Sequence, residues 1–195
     1  MRLLREAEAR LRKVRLFVAV LLPDYVIQEL LPICEQLKKQ LLFVGHCTRP
    51  QNLHITLKFL GFVDKALIPK IDERLKAVHA PLCKATIGKL GVLPHPKMVR
   101  ILFADIHSPE LSTLVKQVEV ALADMFASED RAFKAHMTIG RIKKVRDKAA
   151  FLAQIDKVEL LPLEFEIHSF FLIQSELTPN GPIYKAIASY TLSET

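Results

Sequence analysis

From Asn52 to Phe59 polar and apolar side chains alternate without a break. Asn52, His54, Thr56 and Lys58 fall on one side, and Leu53, Ile55, Leu57 and Phe59 on the other. A period of two is the mark of a strand with one face in a core and the other free for polar work. The stretch Phe133 to Ile139 repeats the pattern, with Lys134, His136 and Thr138 opposed to Ala135, Met137 and Ile139. Between and around these runs the pattern changes period. Arg15 to Leu22 is a nearly unbroken apolar run and reads as a buried strand. Pro23-Asp24 then opens a helix to about Leu41, with a bend expected at Pro32. Gly45, Arg49 and Pro50 read as a loop, and the strand that follows runs from Leu53 to Leu60.

Further along, residues 65–79 read as helix, and 83–93 and 98–106 as strands joined by a turn at Pro94 to Pro96. Ser108-Pro109 can cap and start a helix over 109–127. A strand near Phe133 to Ile142, a short helix near 147–156 and strands near 164–176 and 183–192 complete the chain. Strands and helices alternate irregularly, which predicts an α+β protein. Residues 1–14 carry Leu3, Leu4, Ala7, Leu11 and Val14 at helical spacing and read as an amphipathic extension to a single domain over 15–195.

Composition narrows the class. With 195 residues, half of them hydrophobic and a quarter charged, the chain can bury a core without covalent staples. The run ending at Leu22 is too short to span a bilayer and lacks a cleavage site, so no membrane partner and a cytoplasmic location are expected. Cys34, Cys47 and Cys83 are odd in number and have no CxxC spacing, so buried thiols are expected rather than a disulfide framework. The net charge is +7, but residues 1–15 hold six Lys/Arg against two Glu, so overall basicity says little about a partner. The local run Arg141, Lys143, Lys144, Arg146 and Lys148, opposed only by Asp147, says more. A solvated face is its ordinary reading, yet its position beside the second His-Thr strand makes Lys143 and Lys144 candidates for RNA phosphates.

Seven His and eight Thr predict about 0.3 His-x-Thr triplets by chance, and the chain has three. His46-Cys47-Thr48 lacks flanking alternation and reads as a loop. His54-Ile55-Thr56 and His136-Met137-Thr138 are strand-borne, each offering a titrating ring beside a hydroxyl donor. A single histidine is usually structural, and His79, His95, His107 and His168 are read so. The repeated pair suits a phosphate instead. No His/Cys/Asp cluster has the short spacing of a zinc site, so no metal or other cofactor is expected.

These two motifs, His54-Ile55-Thr56-Leu57 and His136-Met137-Thr138-Ile139, resemble the paired His-x-Thr-x motifs that name the 2H phosphoesterase superfamily. Within it the chain resembles the RNA 2′,3′-cyclic phosphodiesterases, historically called 2′-5′ RNA ligases. The resemblance is carried by Arg15 to Val20, Asn52 to Gly61, Ala135 to Arg141 and the ending from Ser175 to Tyr184. Members often have an aromatic residue before the first motif, where this chain has Val44-Gly45-His46-Cys47. The resemblance implies a bilobal fold, two pseudo-symmetric antiparallel-rich sheets backed by helices around a central cleft.

It also implies a reaction, opening of a 2′,3′-cyclic phosphate to a 2′-phosphate, with His54 as proton donor and His136 as acceptor. Thr56 and Thr138, joined by Lys58 or Arg141, would bind the phosphate. Arg141 stands at the family's basic position after the second motif, but on the parity opposite to His136, and reaches the site only if the strand ends or bulges near Gly140. The implied partners are RNAs with cyclic phosphate ends, tRNA fragments among them, or cyclic nucleotides, acted on by a monomer, with reversible 2′-5′ ligation as a secondary activity. Two rivals remain: a phosphodiesterase of small ADP-ribose-type cyclic phosphates, and a module that binds RNA or nucleotide without cleaving it.

Overall fold

The computed structural model describes residues 12–128, 132–179 and 181–193. The elements run β1 (Lys13–Leu21), α1 (Asp24–Lys39), β2 (Phe43–Cys47), β3 (His54–Asp64), α2 (Ile68–Lys76), β4 (Cys83–His95), β5 (Met98–His107), α3 (Pro109–Ala121), β6 (His136–Val145), α4 (Lys148–Asp156), β7 (Glu164–Ile167), β8 (Ser169–Thr178) and β9 (Gly181–Thr191). The α+β expectation holds. The proposed N-terminal helix lies mostly outside the described residues, and Lys13 and Val14 at its end belong to β1.

Helix boundaries follow local chemistry. The Ser108 hydroxyl accepts from the Leu111 amide and Pro109 opens the first turn of α3, as the sequence predicts. Asp147 caps α4 through the Ala150 amide. In α1, Asp24 sits in the first turn and Lys38 and Lys39 in the last, complementing the helix dipole, and the helix continues through Pro32. Val26, Leu30, Ile33, Cys34 and Leu37 form its buried stripe.

The strands form one antiparallel sheet in the order β7-β4-β5-β6-β3-β1-β8-β9, with β2 added beside β6. Its centre is the junction of β3 and β6, where Ile55 pairs with Met137. The order reads symmetrically outward from that junction: β6, β5, β4, β7 on one side and β3, β1, β8, β9 on the other. The two expected sheets are therefore halves of one, fused at a single narrow contact. One face carries the main core, which unites Leu16, Val18, Ile55, Met137 and Leu102 with the buried stripes of the four α-helices among the described residues. The opposite, open face carries a smaller apolar cluster of Phe17, Ala19 and Ile173, flanked by Phe171 and Tyr184.

Four local expectations are corrected. Residues 43–47 are not loop but the short strand β2, because the β6 backbone approaches so closely at Gly45 that a Cβ there would collide with the Arg141 carbonyl. The predicted strand 164–176 is two strands broken at His168, since β7 pairs with β4 at one sheet edge while β8 pairs with β1 in the other half. The helix from residue 109 ends at Ala121, giving way to turns. Cys34 and Cys47 are not thiols but a disulfide joining α1 to β2, their Cα atoms 5.7 Å apart. The pairing arises because the buried stripe of α1 packs beneath β2, a contact invisible in cysteine spacing. Cys83 is a free, buried thiol, its pKa pushed up by burial to about 11.

Candidate active site

His54 opens β3 and His136 opens β6, one on each side of the central junction. With Ile55 and Met137 buried in the core, the side chains that flank them point to the open face. Antiparallel register then sets His54 near Thr138 and Thr56 near His136. Two motifs far apart in sequence thus form one cluster, with two rings and two hydroxyls on a single face.

The rings are oriented by the same device. The Nδ1 of His54 lies 2.6 Å from the Asn52 carbonyl, and the Nδ1 of His136 lies 2.8 Å from that of Lys134. A carbonyl only accepts, so Nδ1 carries the proton in both, leaving Nε2 as the nitrogen that gains or loses one. Nε2 of His54 is also 3.1 Å from the Thr56 hydroxyl. Asn52 donates from its side chain to the Pro182 carbonyl at 2.8 Å, so the residue that holds the ring is itself tied to β9.

Aromatic packing fixes the rings further. Phe17 lies 5.0 Å from the His54 ring and Tyr184 meets it edge-on at 5.2 Å, while Phe103 meets His136 edge-on at 5.4 Å. Burial in this setting lowers the pKa of His54 below 6.5, the Asn52 carbonyl opposes that, and the charges of Arg141 and His136 add to the lowering. Arg141 and His136 are thus electrically part of the His54 environment.

Bulges decide what else reaches the face. Beside β1, Thr56 pairs with Ala19 and Lys58 with Val18, so Leu57 is an extra residue. Beside β5, Thr138 pairs with Phe103 and Gly140 with Leu102, so Ile139 is the extra one. Each bulge occupies the fourth position of its motif and reverses the parity beyond it. In β6 the reversal brings Arg141 to the open face, as the bulge condition near Gly140 required. In β3 it does the opposite to Lys58.

The expectation that Lys58 binds phosphate is therefore corrected. Its side chain is 1% exposed, turned to the helix side, and its ammonium donates to Glu119 Oε2 at 2.6 Å and the Ala127 carbonyl at 2.9 Å. The open-face position that alternation assigned to Lys58 passes to Phe59, whose ring lies 6.3 Å from Phe17. The residues that sequence reasoning missed, Phe17, Phe103 and Tyr184, lie on strands whose apolar character gave no sign of which face they served. Lys143 and Lys144 are both exposed on β6, but Lys143 is itself unpaired opposite β2, and its carbonyl accepts from Arg100 at 3.1 Å. His46 and Arg141 are directly paired across β2 and β6.

A groove of about 680 Å³ between the β4–β7 edge and the starts of α1 and α3 contains neither histidine of the pair. Its Glu110, Glu164 and Glu166 make it a poor host for an anion.

Comparison with known proteins gives a consistent picture. The family model of the 2′-5′ RNA ligase superfamily matches residues 23–179. The RNA 2′,3′-cyclic phosphodiesterase of Archaeoglobus fulgidus is 36% identical over 172 residues, covering 88% of this chain and 96% of its own. That of Methanocaldococcus jannaschii is 30% identical, covering 90% of this chain and 99% of its own. Among solved structures, the protein TT0787 of Thermus thermophilus superimposes with a TM-score of 0.76 at 26% identity, covering 92% of this chain and 98% of its own.

Proposed function

Because the chain belongs to the 2′-5′ RNA ligase superfamily, we propose that it hydrolyses RNA 2′,3′-cyclic phosphate ends to 2′-phosphates by acid-base catalysis between His54 and His136. The observation that carries this reading is that two rings, each held through Nδ1 by the carbonyl two residues before it so that Nε2 is the nitrogen left for proton transfer, open the two strands of the β3–β6 junction on one face.

Water must attack phosphorus in line with the departing ribose oxygen, so the base and the acid work from opposite sides. His136 Nε2 takes the proton from water. His54 Nε2 protonates the leaving 3′ oxygen. The lowered pKa makes protonated His54 a stronger acid than an ordinary imidazolium, and the bound phosphate anion favours its protonation. Thr56 and Thr138 donate to the non-bridging oxygens, and Arg141 offsets the charge that grows there. Between them the two rings carry both proton transfers, so the reaction is metal-independent in this reading. With an RNA 5′-hydroxyl in place of water the same steps join ends through a 2′-5′ linkage, and run backward they break that linkage and regenerate the cyclic phosphate.

The test is turnover of an oligoribonucleotide ending in a 2′,3′-cyclic phosphate, with the product identified by phosphorus NMR. A 2′-phosphomonoester is expected, formed equally well in a metal chelator. His54→Ala and His136→Ala are each expected to lower turnover about 10²- to 10⁴-fold. A 3′-phosphate product, or near-normal turnover in either variant, contradicts the assignment.

A further inference from the structure

The two central strands have the same geometry but different chemistry beyond their motifs. A second irregularity in β3 leaves Leu60 unpaired, so its open face reads His54, Thr56, Phe59, Phe62. In β6, Lys143 is left unpaired between Ile142, opposite Gly45, and Lys144, opposite Val44. Its open face therefore reads His136, Thr138, Arg141, Lys144, each 82 residues after its counterpart in β3. The strands are antiparallel and meet only at Ile55 and Met137, so the two rows leave the centre in opposite directions.

One row is aromatic and the other cationic. Phe59 is 57% and Phe62 68% exposed, and such rings can stack on bases but cannot hold a phosphate. On the other side Arg141 and Lys144 are exposed, and exposed His46 is added by β2 directly opposite Arg141. Successive positions on one face of a strand are about 7 Å apart, close to the reach of one nucleotide in an extended single strand. The β2 edge that supplies His46 is anchored by the Cys34–Cys47 disulfide and by the Thr48 amide, which donates to the Ile139 carbonyl at 2.9 Å.

We propose that the β2–β6 arm is the track for the single-stranded RNA leading to the cyclic end, with Arg141 at the terminal phosphate, His46 opposite it holding the adjoining backbone phosphate and Lys144 the next. The inference rests on the proposed function for its direction, since the chain must end with its terminal phosphate between His54 and His136. Lys143, between Ile142 and Lys144, has no partner on β2 and its carbonyl accepts from Arg100, and it takes no part in the track.

The experiment measures affinity rather than catalysis, so it stands even if the reaction assigned above is wrong. A fluorescently labelled single-stranded hexaribonucleotide ending in a 2′-phosphate is titrated with protein and followed by anisotropy at several salt concentrations. Lys144→Ala and His46→Ala are each expected to raise Kd about 3- to 10-fold. Lys144→Ala is also expected to shallow the slope of log Kd against log salt by about 0.7, the loss of one phosphate contact on a single strand. Lys143→Ala is the control and is expected to change Kd less than twofold. Unchanged affinity in both Lys144→Ala and His46→Ala, or an equal loss in Lys143→Ala, overturns the track. If the wild type binds this RNA with the expected variant pattern but turns over no cyclic phosphate, the proposed reaction fails and the track stands.

Discussion

At the scale of single residues, the pair His54 and His136 is asymmetric despite its matching hydrogen bonds. Phe17, Tyr184 and β9 close around His54, whereas His136 has Phe103 against one edge and is open beside Lys134. The resulting depression of the His54 pKa has a readable sign. Two apparent pKa values should shape the pH profile of kcat/KM, the lower of them below 6.5. Removing the Arg141 cation relieves part of the depression, so Arg141→Gln is expected to move the lower value upward while reducing the rate. A profile whose lower limb stays still or moves down in Arg141→Gln contradicts the proximity on which the site is built. The same depression links to stability. An unfolded chain takes the proton first, so this group's contribution is complete above about pH 6.5 and declines as pH falls toward the folded pKa.

At the scale of elements, the bulges at Leu57 and Ile139 turn two similar strands into two different arms. They also mark where reading the sequence stopped working. Alternation located His54, Thr56, His136 and Thr138, because those residues precede the bulges and obey the period. It misplaced Lys58, because nothing about Leu57 announces an extra residue, and the written alternation continues unbroken through Phe59. Gly140 was a hint in β6, where a Cβ would press on Cys34 Sγ. Lys58 is a structural cation, and its replacement is a clean test of the correction. Lys58→Met leaves Glu119 without its partner and is expected to cost about 3 kcal/mol. That corresponds to a drop of about 6–12 °C in Tm, with kcat within a few-fold of wild type. Loss of two or more orders of magnitude in kcat with Tm unchanged would return Lys58 to the phosphate site.

At the scale of the whole molecule, function comes from folding one sheet about a narrow centre. The α+β class and most of the element order were legible in the sequence because hydrophobic period is set locally, by which face of a strand or helix meets the core. The joining of both halves into one sheet was not legible, since it depends on the Ile55–Met137 contact and not on any run of residues. Nor was β2, a five-residue strand containing glycine that is fixed by its neighbours. The disulfide shares that origin and predicts a measurable dependence. Reducing Cys34–Cys47, which closes a loop with a sequence separation of 13, is expected to lower unfolding stability by about 3 kcal/mol. Denaturant titrations with and without reductant check this, and identical midpoints would contradict a formed bridge.

The convergence of two imidazoles on one phosphate is tested most directly by ring-nitrogen NMR of the histidines during titration with 2′-AMP, a mononucleotide with a 2′-phosphate. The account predicts that Nε2 of His54 and Nε2 of His136 shift together, with one Kd and at one-to-one stoichiometry, while both Nδ1 atoms stay protonated on the Asn52 and Lys134 carbonyls. A response confined to one ring, or two rings titrating with different affinities, would contradict it.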